Sequence, residues 1–233
     1  MSIAVVTGAS RGIGRAVAEN FAARGHHVLL VDKVEQVAET ASEVGGTPLV
    51  ADVCSHEGRA LIADAVRASS DSLAVLVNNA GITRDGLLHK MNEESFRAVI
   101  NVNLGATIEL SETLAPIVMD GGSIVNLSSR AQLGNVGQFN YMVSKAGVIG
   151  ATRALALKHA PRIRVNAVAP GFTKSEMTSA MPEEVQERIV NTIPLARGAT
   201  TTEMASIITW LGSDESSYVT GQVLYACGGR SFA

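Results

Sequence analysis

The sequence predicts one α/β domain over residues 1–233, built on a doubly wound parallel sheet of about seven strands with helices on both faces. Short apolar runs alternate with longer amphipathic stretches along the chain, which is typical of βαβ units. Apolar residues make up 46% of the chain and aromatic residues only 4%, a composition that suits a buried parallel sheet. No repeat, low-complexity tract or linker interrupts the alternation, so a single Rossmann-like domain is expected.

The elements follow one another in a regular order. The apolar runs predict strands at residues 3–7, 28–32, 48–52, 73–78, 123–128, 163–169 and 222–227. The stretches between them predict helices near 13–24, 34–43, 55–69, 93–118, 139–160 and 203–213. Ligands of such sheets bind beyond the carboxyl ends of the strands, so the residues that follow each apolar run are the candidate site residues.

Composition narrows the classes of partner and ligand. The net charge is −3 and the charges are well mixed, so neither a nucleic acid nor a membrane surface is expected as a partner. The two cysteines, Cys54 and Cys227, and the five histidines show no metal-ligand spacing, which predicts no metal site. The first residues, "MSIAVVTGAS", carry no basic region or long apolar stretch, so we expect a cytoplasmic protein without a signal peptide.

The first predicted strand ends in the glycine-rich stretch "TGASRGIGRA" at residues 7–16. Glycines allow a tight turn and close approach to a phosphate, and the following helix offers its N-terminal N–H groups. We therefore expect a dinucleotide here, although a βα turn without a ligand is the alternative. The residues expected to contact it are Gly8, Ser10, Arg11, Gly12, Ile13 and Gly14.

An acidic residue ends the second predicted strand. Asp32 lies 20 positions after Gly12 (32 − 12), where a carboxylate can accept hydrogen bonds from the adenosine ribose of NAD and repel the 2′-phosphate of NADP. NAD(H) is therefore favoured. NADP(H) is the alternative, because Arg11 and Lys33 could neutralise a 2′-phosphate, and Asp32 could also be a helix N-cap.

A tyrosine and a lysine lie four positions apart in "NYMVSK", residues 140–145. Within a helix this spacing places Tyr141 and Lys145 on the same face, one turn apart. A lysine ammonium near a phenol favours the phenolate, so we expect Lys145 to lower the pKa of Tyr141 towards a value useful in acid–base catalysis.

Further motifs follow the later strands. They are "NNAG" (78–81), "NVNLGA" (101–106), "NLSS" (126–129) and "APGFTKSEM" (169–177). In order and spacing, together with the glycine-rich stretch and the Tyr-x-x-x-Lys pair, they resemble the short-chain dehydrogenase/reductase family over essentially the whole chain. The resemblance implies an oxidoreductase that moves a hydride between a nicotinamide cofactor and a carbonyl or alcohol.

The resemblance also implies roles for individual residues. Tyr141 is the expected acid/base, and Lys145 is expected to assist it. Both residues are also expected to contact the cofactor. Ser128 lies 13 residues before Tyr141 (141 − 128) and matches the family's catalytic serine, whereas Ser129 is given no role. Asn103 matches an asparagine that anchors a water beside the lysine. The further cofactor positions implied are Asp52, Val53, Asn79, Ala80, Gly81, Pro170, Gly171 and Thr173.

Within the family the closest resemblance is to β-ketoacyl-acyl carrier protein reductases, through the stretches at 78–91, 169–178, 193–203 and 213–224. This implies fatty acid biosynthesis and reduction of a 3-oxoacyl thioester, on acyl carrier protein or coenzyme A, to the 3-hydroxyacyl thioester. It also implies a substrate lid at about 173–192 and a homotetramer packed through the predicted helices 93–118 and 139–160.

Two features bear on the carrier and on the rival functions. Arg162 and Arg164 are the candidates for contacting an acidic carrier protein, and Cys227 stands where asparagine is usual, with an effect that the sequence does not define. The alternatives are a related dehydrogenase acting on a secondary alcohol, steroid or sugar, and a non-catalytic cofactor-binding protein.

Overall fold

The computed structural model describes residues 2–69, 71–179 and 181–232. Within them, parallel strands form one seven-stranded sheet, which confirms the predicted fold class. The strands are β1 (Ser2–Thr7), β2 (His27–Asp32), β3 (Thr47–Val50), β4 (Ser72–Asn78), β5 (Val118–Leu127), β6 (Arg164–Pro170) and β7 (Val223–Ala226). Their spatial order is β3-β2-β1-β4-β5-β6-β7.

Helices cover both faces of the sheet. They are α1 (Gly12–Ala23), α2 (Val37–Val44), α3 (His56–Ala68), α4 (Glu93–Ile100), α5 (Ala106–Leu114), α6 (Phe139–His159), α7 (Glu176–Ser179), α8 (Glu183–Val190) and α9 (Thr201–Gly212). In the part of the chain described, none is long and apolar enough to cross a membrane.

Two apolar cores result from the alternation of side chains along the strands. In β1, Ile3 and Val5 pack into the core that contains residues of α3, α5 and α6. Ala4 and Val6 face the opposite core, which contains residues of α1, α2 and α9. Both faces of the strands are therefore buried, which explains why the strands appear in the sequence as continuous apolar runs rather than as alternating patterns.

The order of the strands reverses next to β1, which lies between β2 and β4. The chain moves outwards from β1 to β3 and then returns to the other side of β1 with β4. The loops after β1 and β4 therefore leave the carboxyl edge of the sheet in opposite directions, and a crevice lies between them. This is where doubly wound folds bind their ligands.

The predicted helix over 93–118 is not continuous. One turn of π-helix, Asn101–Gly105, separates α4 from α5, and a 3₁₀ turn, Ala115–Ile117, leads into β5. The motif "NVNLGA" lies in the π turn, a type of irregularity that is frequent at functional sites. The helical periodicity continues on both sides of the turn, so the sequence pattern did not reveal it.

Candidate active site

The glycine-rich loop is shaped by backbone constraints. Gly8 and Gly12 have φ values of +64° and +60°, a region in which side chains with a Cβ are strained. A Cβ on Gly14 would lie 2.1 Å from the Gly8 carbonyl oxygen, so α1 packs directly against the loop. No atom lies within 4 Å of a Cβ built on Gly12, which leaves open space at the N-terminus of α1. An anionic group there would meet the unpaired N–H groups of the helix.

Asn79 joins this loop to the end of β4 across the crevice. Its amide nitrogen donates to the carbonyl oxygens of Thr7 and Gly8 at 2.9 and 3.0 Å. In the other direction, the Thr7 hydroxyl accepts from the backbone N–H groups of Asn79 and Ala80, each at 3.0 Å. The predicted residues of the two loops are thus held together at the crevice.

The loop also contains a polar atom that fits a dinucleotide. The hydroxyl oxygen of Ser10 is buried and has no hydrogen-bond partner among the residues described. Leaving a buried hydroxyl unpaired costs free energy, on the order of 1–3 kcal/mol. A phosphate or ribose bound over the loop would supply the missing partner, so the residues present fit the expected cofactor.

Asp32 lies beside the loop as predicted. Its two carboxylate oxygens accept from the backbone N–H groups of Ser10 at 3.1 Å and Lys33 at 2.8 Å. These bonds hold the Asp32 side chain at the end of β2, and each carboxylate oxygen can accept a further hydrogen bond. Arg11 is largely exposed and lies 3.6 Å from Glu176 in α7.

The tyrosine and lysine lie in the first turns of α6. The Lys145 ammonium is 5.7 Å from the centre of the Tyr141 ring. Its Nζ donates to the carbonyl oxygen of Leu127, at the end of β5, at 2.7 Å. Lys145 is only 4% exposed, and burial lowers its pKa to about 8. A Cβ built on Gly81 would lie 3.5 Å from Nζ, so the glycine keeps the space beside the lysine open.

The two serines after β5 point in different directions. Ser129 lies close enough to the Tyr141 phenol to lower its pKa through side-chain hydrogen bonding, whereas the Ser128 hydroxyl is buried and donates to the backbone carbonyl of Lys145 at 2.8 Å. The structure thus brings Ser129 to the tyrosine, and it does not bring Ser128 there as the 13-residue count predicted. Ser129 has an extended backbone, in which successive side chains point to opposite sides, so neighbouring serines cannot both face Tyr141.

The predicted direction of the tyrosine pKa shift is wrong for this structure. Burial raises the pKa of Tyr141, and the negative charge of Asp85 raises it further, while the hydrogen bond from Ser129 acts in the opposite direction. The sequence predicts the effect of the lysine charge but does not show that the phenol is buried. The raised pKa makes Tyr141 a weaker acid than a free tyrosine, so the positive charge of Lys145 has to stabilise the phenolate.

Asn103 is fully buried in the π turn. Its side chain accepts from the backbone N–H of Ile82 at 2.8 Å and donates to the Ile82 carbonyl at 3.0 Å. It also donates to the Ser144 hydroxyl at 3.1 Å. These bonds hold the loop after β4 against α6. The predicted role of Asn103 in anchoring a water stays a prediction.

The remaining cofactor positions lie at the same edge of the sheet. The Asp52 carboxylate accepts from the backbone N–H of Cys54 at 2.8 Å, so it caps the turn that leads into α3, and Val53 follows it. After β6, the Gly171 N–H donates to the Ala226 carbonyl at 2.8 Å, and a Cβ on Gly171 would lie 2.7 Å from the Cα of Cys227. Pro170 and the buried Thr173 flank Gly171.

The two arginines that are candidates for contacting a carrier protein both hydrogen-bond to backbone carbonyl groups, and their contact with a carrier stays a prediction. Arg162 donates to the carbonyl oxygens of Val118 and Ala115 beside the start of β5. Arg164 donates to the carbonyl oxygens of Leu211 and Ser213, at 3.1 and 2.9 Å, and to other groups beyond α9.

Similarity to known proteins agrees with this geometry. A family model described as enoyl-(acyl carrier protein) reductase matches residues 8–231. The 3-oxoacyl-(acyl-carrier-protein) reductase FabG of Thermotoga maritima is 43% identical over an alignment of 237 positions. The alignment covers 97% of this chain and 96% of that protein. The enzymes of the same name from Staphylococcus aureus and Escherichia coli are 43% and 39% identical, with the same coverage. The chain therefore belongs to the short-chain dehydrogenase/reductase family, as the order of its site residues indicates.

Proposed function

We propose that this protein reduces the ketone of a 3-oxoacyl thioester to the 3-hydroxyacyl thioester, using a hydride from a nicotinamide cofactor. The grouping of Ser129, Tyr141 and Lys145 carries the proposal: the Lys145 ammonium lies 5.7 Å from the centre of the Tyr141 ring, and Ser129 acts on the pKa of the same phenol. Two side-chain hydroxyls at one point can both donate to the oxygen of a ketone. The names of the relatives support an acyl thioester on acyl carrier protein as the substrate, and fatty acid biosynthesis as the process.

The chain's own residues account for the proton in this reaction. When bound, the nicotinamide ring supplies the hydride. Ser129 orients the ketone oxygen, and Tyr141 donates its proton to that oxygen as negative charge develops there. Tyr141 is protonated at neutral pH before the step, because the ordinary pKa of a tyrosine is near 10 and burial raises it further. With a pKa of about 8, Lys145 is mostly an ammonium at pH 7 and stabilises the phenolate left on Tyr141.

For the cofactor, we propose NAD(H) rather than NADP(H). The Asp32 carboxylate is anchored by Ser10 and Lys33 at the place where a 2′-phosphate would approach, and its charge opposes a second anion. Arg11 and Lys33 are the features that favour NADP(H), and the positive charge of the exposed Arg11 is partly balanced by its ion pair with Glu176.

One experiment tests the reaction and the cofactor together. Initial rates are measured with acetoacetyl-CoA, using NADH and NADPH in parallel, with crotonyl-CoA as the control for enoyl reduction. We expect reduction of acetoacetyl-CoA, a preference for NADH, and no turnover of crotonyl-CoA. Asp32→Asn removes the charge and should raise kcat/KM with NADPH at least about tenfold. Turnover of crotonyl-CoA alone would contradict the proposed reaction, and a strong NADPH preference would contradict the role of Asp32.

We also propose a homotetramer packed through the helices of 93–118, which are α4 and α5, and through α6. An exposed stripe of small or apolar residues runs along α6 at helical spacing, and such a stripe permits close contact with another helix. It consists of Val143, Ala146, Gly150, Ala154 and Leu157. Light scattering should give four times the chain mass of 24.3 kDa, and a monomer would contradict this assembly.

Two expectations stay predictions. The segment after β6, which holds α7 and α8, is the predicted lid over about 173–192. It includes residue 180, which lies outside the described residues, and the ion pair between Arg11 and Glu176 links it to the glycine-rich loop.

The second expectation that stays a prediction is the cytoplasmic location of the protein.

A further inference from the structure

Two arginines from distant parts of the chain line one cavity. The cavity has a volume of about 480 Å³ and is lined by Arg130, Arg230 and the segment 191–194. The Arg130 guanidinium donates to the backbone carbonyl of Arg230 over a long 3.4 Å, so the two residues are in contact although they are 100 positions apart. Neither arginine was among the residues that the sequence predicted for the site.

Among the residues described, no carboxylate pairs with the two arginines of this cavity. Nε of Arg130 is buried and has no hydrogen-bond partner, and no carboxylate lies within 4 Å of either guanidinium in the part of the chain described. In the same range of residues, eight other arginines each pair with a carboxylate. Burial lowers the pKa of Arg230, and the nearby charge of Arg130 lowers it further.

A thiol beside the two arginines offsets their charge only in part: the charge of Cys227 raises the pKa of Arg230, against the burial and the Arg130 charge that lower it. Burial alone would raise the pKa of Cys227, but hydrogen bonds to Ser231 and the positive charge of Arg130 are among the influences that lower it. The Cys227 sulfur lies 3.1 Å from the Ser231 hydroxyl, so its hydrogen bond goes to that serine. The charge of the cavity therefore remains available to a ligand.

The chemistry of the pair defines the ligand that it would take. Like charges that are partly removed from water are destabilising unless an anion joins them. Arginine guanidinium groups bind carboxylates and phosphates through paired N–H donors, which makes an oxyanion the matching ligand.

The location connects this cavity to the proposed reaction. Arg130 directly follows Ser129 and begins a 3₁₀ turn that Ser129 caps through the Ala131 N–H at 3.1 Å. Gly229, with φ +89°, lies so close to Pro194 that an added Cβ would be 2.9 Å from the proline ring. This close approach brings Arg230 against the segment that follows α8, at the end of the predicted lid.

We propose that Arg130 and Arg230 form a subsite for an anionic oxygen group carried by the substrate. The proposal rests on the proposed function and specifies the substrate further. The anion has two possible sources, a carboxylate on the acyl chain or a phosphate in the carrier of the thioester. Both present the same chemistry to a pair of guanidinium groups, and a set of substrates separates them.

The test compares three 3-oxoacyl thioesters. Acetoacetyl-N-acetylcysteamine is neutral, the N-acetylcysteamine monothioester of 3-oxoglutarate carries only an acyl carboxylate, and acetoacetyl-CoA carries only carrier phosphates. Arg230→Gln should lower kcat/KM at least tenfold for at least one of the two anionic substrates and leave the neutral one within twofold. Arg130→Gln should behave in the same way. The substrate that suffers the loss identifies the source of the anion.

Arg67→Gln is the charge-matched control, because Arg67 makes only a surface pair with Asp64 on α3. The dissociation constant of the cofactor should stay unchanged in both cavity variants. Equal losses on all three substrates, no loss on either anionic substrate, or weakened cofactor binding would each overturn the subsite. If the unmodified protein reduced none of the three, the proposed function itself would fail, and this result is distinguishable from the others.

Discussion

Replacing Tyr141 with phenylalanine should lower the turnover of 3-oxoacyl thioester reduction at least about a hundredfold, the scale of lost acid–base catalysis. The substitution removes a single oxygen atom and with it the proton that the ketone oxygen receives. In the structure Ser129 acts on the pKa of this hydroxyl, which carries its proton at neutral pH as any tyrosine does. Steady-state rates with acetoacetyl-CoA provide the measurement.

The same variant should bind the cofactor within several-fold of the unmodified protein, as measured by quenching of protein fluorescence. Its melting temperature should change little, because the ring stays in place. Near-normal turnover would show that another group supplies the proton and would refute the role of Tyr141. A large loss of cofactor affinity would instead indicate that the tyrosine acts mainly in binding.

Replacing Ser129 with alanine should lower kcat/KM by roughly 100- to 1000-fold, the range found for the loss of one donor at a developing oxyanion. Ser129 is the serine that contacts Tyr141, so its hydroxyl can reach the same ketone oxygen. Rates with acetoacetyl-CoA at saturating cofactor report this effect.

Ser128→Ala is the matched control, since it removes the same atom one residue earlier. Its hydroxyl donates to the Lys145 carbonyl and is only 3% exposed, so its loss should reduce stability by about 1 kcal/mol and affect the rate less. Thermal unfolding of both variants measures the loss of stability separately from the loss of rate. If Ser128→Ala abolished turnover and Ser129→Ala did not, Ser128 would be the catalytic serine, as its position 13 residues before Tyr141 predicts. The role proposed for Ser129 would then be wrong.

Most of the fold could be predicted from the sequence. The seven apolar runs correspond to β1 to β7, with bounds that differ by one or two residues at most places. The largest difference is β5, which begins at Val118 rather than at 123 because Val118 pairs with Leu73 before an exposed stretch. The π turn was also missed, because the helical pattern continues through it. The short helices α7 and α8 were missed because their sequence looks like that of an irregular segment.

The site was predicted wherever a local pattern defined it. The glycine-rich loop, Asp32 at the end of β2 and the Tyr141–Lys145 pair all lie where the spacing placed them. Ser129 was missed because a count along the chain cannot choose between neighbours whose side chains point in opposite directions. Arg130 and Arg230 were missed because no local signal links residues so far apart.

The sequence by itself determined the sheet, its flanking helices, the glycine-rich crevice and the helical pairing of Tyr141 with Lys145. These features depend on short-range periodicity: alternation along strands, one turn along a helix, and glycines where the backbone has positive φ. Only the tertiary structure decided which serine meets the tyrosine, in which direction the tyrosine pKa moves, and where two arginine charges converge. Side-chain direction, burial and charge environment arise from long-range packing, and no spacing in the chain encodes them separately.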